Sequence, residues 1–123
     1  MEETLFWKLL QEIVEMGDFV VAVSSNSASA NIVGRMKIGD NGGEKVLEKE
    51  KCHCHIHLYP EKISSFSFTY RDVGYGAEPC CEFLTTEQQV ALRLYYHGRD
   101  AEKKFKEFVD KNRDNIGVLK GSW

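Results

Sequence analysis

The chain lacks several features that would place it in a large functional class. It has no apolar run near the ~20 residues that a membrane-spanning helix requires. Its 16 basic and 19 acidic residues give a net charge of −3 without a dominant basic patch, which argues against an electrostatic nucleic-acid interface. We therefore expect neither a membrane nor a nucleic acid as a partner.

Signatures of catalysis and of structural metal sites are also missing. There is no glycine-rich phosphate loop, no G-x-S-x-G elbow and no H-E-x-x-H motif, so we predict no catalytic residue and favour a non-enzymatic role. Four cysteines are present, but no C-x-x-C pair occurs, and the common structural zinc spacings are absent. The acidic start of the chain is unlike a signal peptide, so we expect a cytoplasmic protein with reduced thiols.

What the chain does contain is typical of one globular domain. It has 123 residues, of which 42% are apolar and 28% are charged. A chain of this length can bury a substantial core but is too short for two ordinary domains. We therefore treat residues 1–123 as a single domain.

A short histidine-rich stretch, residues 52–58, is the most informative part of the chain. It holds three histidines and two cysteines within seven residues. Side chains alternate between the two faces of a β-strand, so a strand over residues 51–58 would place His53, His55 and His57 on one face. That face can bind a divalent metal, a haem or an acidic ligand. The alternative is that three polar side chains simply meet solvent.

Hydrophobic periodicity predicts a helix at each end of the chain. The first runs from Thr4, as its cap, to about Met16. The second begins after Asp100, a plausible N-cap, and runs to about Asn112. Both carry an apolar stripe, so each is expected to pack one face on a core.

Between the helices the pattern predicts about seven strands joined by short loops. They are expected near residues 19–23, 28–38, 45–47, 51–58, 63–71, 80–84 and 89–97. Short connections favour an antiparallel meander over β-α-β units, and Pro60 can begin a helical turn through Lys62. The predicted fold class is α+β, a meander of about seven strands with an N-terminal and a C-terminal helix. Phe66, Phe68 and Tyr70 are expected on its buried face.

The region from His53 to Val109 shows an ordered set of features. They are His55-Ile56-His57-Leu58, Glu61-Lys62-Ile63, the strand from Ser64 to Arg71, Cys81-Glu82-Phe83-Leu84, the strand from Ala91 to Gly98, and a helix ending in Phe105-Lys106-Glu107-Phe108. In spacing and polarity this order resembles the bacterial haem-iron-utilisation carriers of the ChuX/HutX and HemS kind. The resemblance covers nearly half of the chain.

This resemblance implies both a ligand and an assembly. The family's fold is an antiparallel sheet with flanking helices that cradles haem, and its members use, store or pass on haem iron in the cytoplasm. The larger members contain two copies of the unit, whereas the shorter ones form dimers that imitate the doubled form. The single copy in this chain therefore implies a haem-binding homodimer.

A haem site requires an imidazole or phenolate for the iron, apolar walls, and cations for the propionates. The resemblance makes His57, in the matched His-x-His-Leu motif, the candidate iron ligand, with His55 about 7 Å away along a strand. The other candidates are Tyr95 as a phenolate, His97 at the end of its strand, and Arg71 and Arg93 for the propionates. Ordinary surface salt bridges are the alternative role for both arginines.

Two other functions fit the same sequence. The chain can be a divalent-metal-binding module that uses His53, His55 and His57, with Cys80 or Cys81 as a further ligand. It can also be a non-catalytic interaction domain whose sheet face binds another protein. Haem and a divalent metal ion are thus the alternative cofactors.

Overall fold

The α+β fold class is confirmed by a computed structural model, which describes residues 1–72, 74, 76–96, 98–115 and 117–121. The helices are α1 (Glu3–Val14) and α2 (Ala101–Lys111). The strands are β1 (Asp18–Ser24), β2 (Ser29–Asn41), β3 (Glu44–Lys49), β4 (His55–Ile56), β5 (Ile63–Asp72), β6 (Ala77–Thr85), β7 (Val90–Tyr96) and β8 (Leu119–Gly121). Single 3₁₀ turns lie at Pro60–Lys62, as predicted, and at Arg113–Asn115.

The strands form one sheet in the order β4-β3-β2-β1-β7-β6-β5-β8. Two antiparallel meanders, β1 to β4 and β5 to β7, are joined where β1 pairs with β7 and Val21 lies opposite Leu94. The short strand β8 adds a parallel edge to β5 in a tail for which the sequence predicted no element. The segment between β4 and β5 is therefore a crossover from one edge region of the sheet to the other.

Both helices pack on the same face of the sheet. Phe6 of α1 lies 5.6 Å from Phe66, and Phe105 of α2 lies 5.3 Å from Phe68, measured between ring centroids. Phe6, Phe66 and Phe105 are each 0% exposed, and burial of an aromatic side chain is a large source of stability. The predicted burial of Phe66 and Phe68 is confirmed, but Tyr70 is 43% exposed because it lies near the end of β5.

The helix ends differ from the predicted caps. Glu2, not Thr4, caps α1, because its carboxylate accepts hydrogen bonds from the backbone N–H groups of Thr4 and Leu5 at 2.9 and 2.7 Å. Asp100 occupies the N-cap position of α2, but its side chain makes no capping hydrogen bond and instead lies 3.8 Å from the Lys104 amine. The periodicity of the sequence therefore predicted both helices correctly, but the predicted side-chain caps at their N-termini were wrong.

Among the described residues, no helix is both long enough and apolar enough to cross a membrane.

Candidate functional site

The predicted site residues divide into two groups. Arg71, Arg93 and Tyr95 lie on the sheet face opposite the helices, which we call the polar face. The second group is the histidine segment, residues 50–58, which follows β3. His97 lies outside the described residues. The two groups are held by the structure in very different ways.

A buried carboxylate organises the polar face. Glu82 is only 5% exposed, and its Oε2 atom accepts hydrogen bonds from Nε and Nη2 of Arg71 at 3.1 and 2.7 Å. The same oxygen accepts from Nε of Arg93 at 2.8 Å. Two cations and one anion leave this cluster, which we call the arginine cluster, with one net positive charge. The two arginines predicted to bind propionates are therefore brought together by a residue that was not predicted.

Two groups on the polar face have raised pKa values. The hydrogen bond to Glu82 raises the pKa of Arg71, so this guanidinium stays charged. Desolvation by burial raises the pKa of the Tyr95 phenol. Tyr95 is therefore a neutral phenol at physiological pH, which does not favour the predicted phenolate ligand.

The histidine segment is mostly a turn, which corrects the predicted strand over residues 51–58. Only His55–Ile56 forms a strand, and Lys51 takes a left-handed backbone with φ of 61°. The Lys49 N–H donates to the Cys54 carbonyl at 3.2 Å, which closes the turn. The alternation of a regular strand is lost here, so His53, His55 and His57 do not form one shared strand face.

The cysteines also differ from the expectation of four reduced thiols. Cys52 and Cys54 form a disulfide across a single residue, whereas Cys80 and Cys81 are free and fully buried. Sequence reasoning treated all four thiols alike because spacing alone does not show which sulfurs face each other.

The described part of the chain contains no group of three His, Cys, Asp or Glu side chains placed to hold a metal ion. The His55 and His57 rings do lie 5.0 Å apart in an edge-to-face arrangement. Nδ1 of His55, however, lies 3.2 Å from the carbonyl of His53. The structure thus pairs two of the three predicted metal ligands and leaves His53 exposed beside them.

An apolar cavity lies beside His57, where the crossover meets the start of β7. Its volume is about 220 Å³. It is lined by Val23, Ile56, His57, Leu58, Tyr59, Lys62, Ile63, Thr85, Ala91 and Leu92. A mostly apolar wall with a few polar groups is typical of small-molecule sites. Of the predicted haem residues that the structure describes, only His57 lines this cavity.

His57 lies beside a carboxylate. Its Nδ1 atom lies 3.6 Å from Oε1 of Glu44, and its side chain is 38% exposed. At this distance the pair is a solvent-exposed contact rather than a hydrogen bond, so it restrains the imidazole only weakly. The His57 side chain is therefore accessible beside the cavity.

Two further polar residues of the cavity were missed by sequence reasoning. The Lys62 amine lies 5.5 Å from the centre of the Tyr59 ring, and Tyr59 is 51% exposed. Lys62 ends the 3₁₀ turn Pro60–Lys62 and Tyr59 is its N-cap, so the predicted helical turn was the available signal. Arg93 follows Ala91 by two residues on β7, a spacing of about 7 Å along the strand.

Comparison with solved structures shows which fold this architecture represents. The chain has the fold of ChuX. Over 90% of this chain and 72% of the other, it superimposes on a structure described as the heme binding protein ChuX with a TM-score of 0.63 and 14% identity. A second ChuX crystal structure gives a TM-score of 0.60 and 12% identity, covering 90% of this chain and 70% of the other.

A protein from Erwinia carotovora gives a TM-score of 0.59 and 11% identity, covering 93% of this chain and 68% of its own. The chain thus spans about two thirds to three quarters of the length of these structures. No protein-family model matches the sequence, and no curated protein matches it. At this identity the likeness establishes the fold alone.

Proposed function

We propose that this protein binds haem in the cavity beside His57 and serves in haem iron utilisation, storage or trafficking in the cytoplasm. The observation that carries the proposal is an accessible imidazole lining an apolar cavity, in a fold shared with the heme binding protein ChuX. His57 would supply the iron ligand through Nε2. Lys62, at the same cavity, would pair with a propionate.

The size of the cavity supports a dimeric site. A volume of about 220 Å³ is below the roughly 300–1,000 Å³ of pockets that enclose a whole drug-sized ligand. One protomer would therefore cover only part of a porphyrin. We propose that a second copy of the chain covers the rest, which agrees with the homodimer implied by the family resemblance.

A hemin titration tests this function. The purified protein should shift the Soret band of hemin, and His57→Ala should weaken binding at least about tenfold, a loss near 1.4 kcal/mol. Ala91→Phe should weaken binding as well, because the added ring fills the cavity. An unshifted Soret band with the unmodified protein would exclude the proposed function.

His55→Ala provides the matched control. This residue lies in the same segment and is exposed, but it does not line the cavity. Its removal should leave hemin affinity within about twofold, since it contributes neither wall nor iron ligand. Equal losses for His55→Ala and His57→Ala would instead assign hemin to the exposed pair of rings.

Sedimentation of the protein with and without hemin tests the assembly. We expect a dimer when one hemin is bound for each chain. A hemin complex that sediments as a monomer would contradict the shared site while leaving hemin binding intact.

A further inference from the structure

We propose that Cys52 and Cys54 form a reversible redox pair that exchanges its disulfide with small thiols such as glutathione. We also propose that the state of this pair sets the affinity of the adjacent site for hemin. The second statement rests on the proposed haem function, whereas the first does not.

The disulfide is placed at the surface, in the turn between β3 and β4. Cys54 is exposed and Cys52 is half-buried. A thiol or disulfide must be accessible to exchange with a partner in solution. The pair meets this requirement without any movement of the core.

Its loop is too small for a mainly structural role. The bond encloses only three residues, Cys52 to Cys54, and joins no distant elements. In the chain-entropy model, stabilisation by a disulfide grows with the length of the loop that it closes. A loop this short gains the least, so breaking the bond leaves the rest of the fold intact.

The other two cysteines show the opposite environment. Burial raises the pKa of Cys80 to about 12 and raises that of Cys81 well above its ordinary value of 9.0. The thiolate is the reactive form of cysteine, so both are inert near neutral pH. Exchange chemistry in this chain therefore belongs to residues 52 and 54, with Lys51 as a cationic neighbour in sequence.

The exchange is balanced in two steps. A small thiolate attacks one sulfur of the pair, breaks the S–S bond and releases the other cysteine as a thiolate. A second small thiolate then attacks the small-thiol sulfur of the mixed disulfide, which yields the oxidised small-thiol dimer and the second protein thiolate. Two electrons pass to the protein, and the two protons lost by the small thiols protonate the cysteines.

The link to the hemin site is short. Cys54 accepts the hydrogen bond from Lys49 that closes the turn, and His57 follows only three residues later. Breaking the disulfide frees this turn to adopt other conformations, which would change how His57 is held against Glu44. Oxidised and reduced protein should therefore differ in hemin affinity.

Trypsin separates the two cysteine pairs, which permits a direct test. Cleavage after Lys51 and Lys62 yields peptide 52–62, and cleavage after Arg71 and Arg93 yields peptide 72–93. The full protein is equilibrated in buffers of graded reduced to oxidised glutathione, quenched, alkylated and analysed by mass. We expect peptide 52–62 to pass from disulfide to dialkylated form within the series. A peptide 52–62 that stays in one form throughout would overturn the redox pair.

Hemin titrations of the two forms test the coupling. We expect affinities that differ by at least about fivefold, the lower end of usual coupling between sites. The double variant Cys52→Ser, Cys54→Ser should show one affinity in every buffer. Equal affinities for the oxidised and reduced protein would overturn the coupling. A protein that exchanges thiols but never shifts the Soret band would instead refute the haem function, since the peptide measurement does not involve hemin.

Discussion

The arginine cluster and the histidine segment differ in what holds their side chains. Glu82 and Arg93 lie opposite each other on β6 and β7, strands that are paired on both sides. His55 lies on β4, a strand of two residues at the edge of the sheet. The cluster is thus fixed by the sheet, whereas the histidines depend on a turn and a few local contacts.

This difference suggests a division of roles in the proposed site. The cavity takes Ala91 from β7, the strand that also carries Arg93, and His57 from the crossover. Residues on central strands can hold a precise position, while loops carry higher mobility and are where binding residues concentrate. In the proposed site, β7 would hold one wall of the cavity in place, and the crossover would carry the iron ligand.

Among substitutions in the two regions, the largest loss of stability should come from the arginine cluster. Glu82→Gln removes a buried charge that accepts three hydrogen bonds from two arginines. Charged hydrogen bonds contribute about 1.5–3 kcal/mol, and the arginines retain partial access to water. We expect a loss of about 2–3 kcal/mol in the free energy of unfolding, measured by urea denaturation.

Glu78→Gln is the matched control for this substitution. Glu78 lies on the same strand and face, four residues before Glu82, and it is half-buried. We expect its replacement to change stability by no more than about 0.5 kcal/mol. Similar losses for both variants would show that the arginine cluster is an ordinary surface salt bridge rather than a fixed point of the sheet.

A second test uses the two classes of cysteine. The ordinary pKa of a cysteine thiol is 9.0, whereas burial raises the pKa of Cys80 in the folded protein to about 12. Between these two pKa values the folded state binds more protons than the unfolded state. The contribution of this thiol to the free energy of unfolding is therefore fully present below pH 9 and is lost as the pH rises toward 12. Each buried thiol should contribute a slope of about −1.4 kcal/mol per pH unit. Urea denaturation at several alkaline pH values measures the slope.

Cys80→Ala isolates the contribution of that thiol, because other groups that titrate at alkaline pH are shared by both proteins. The variant should show a slope that is shallower by about 1.4 kcal/mol per pH unit. The double replacement of Cys52 and Cys54, compared with the oxidised protein, should leave the slope unchanged, since disulfide sulfurs do not titrate. An unchanged slope in Cys80→Ala would mean that this thiol already ionises freely in the folded state.

Sequence patterns predicted the central sheet well because its strands are long and half-buried. β5 was expected over residues 63–71 and is Ile63–Asp72. Its alternation placed Phe66 and Phe68 on the core side and Arg71 on the polar face, as the structure shows. Alternation could not reveal the joining of the two meanders through β1 and β7, since that contact depends on residues 70 or more positions apart.

The histidine segment was misjudged for a physical reason. Alternation predicts faces only where a ladder of hydrogen bonds keeps the backbone extended, and here the ladder is limited to Leu47–Ile56 and Glu48–His55. A disulfide and a left-handed residue bend the chain just before it. His57 lines a cavity, and it does so from the crossover rather than from a strand face.

The smallest expected change in stability is that of His55→Ala, a substitution in the histidine segment. His55→Ala removes an exposed ring whose described contacts, to His53 and His57, lie within the segment. Such a surface replacement should change the free energy of unfolding by less than about 0.5 kcal/mol, because it removes no core contact. Thermal unfolding at neutral pH measures it, with Phe66→Ala as a core reference that should cost about 3–5 kcal/mol. A loss above about 1 kcal/mol for His55→Ala would mean that the segment is a firmly paired strand, and the contrast between the two regions would then be lost.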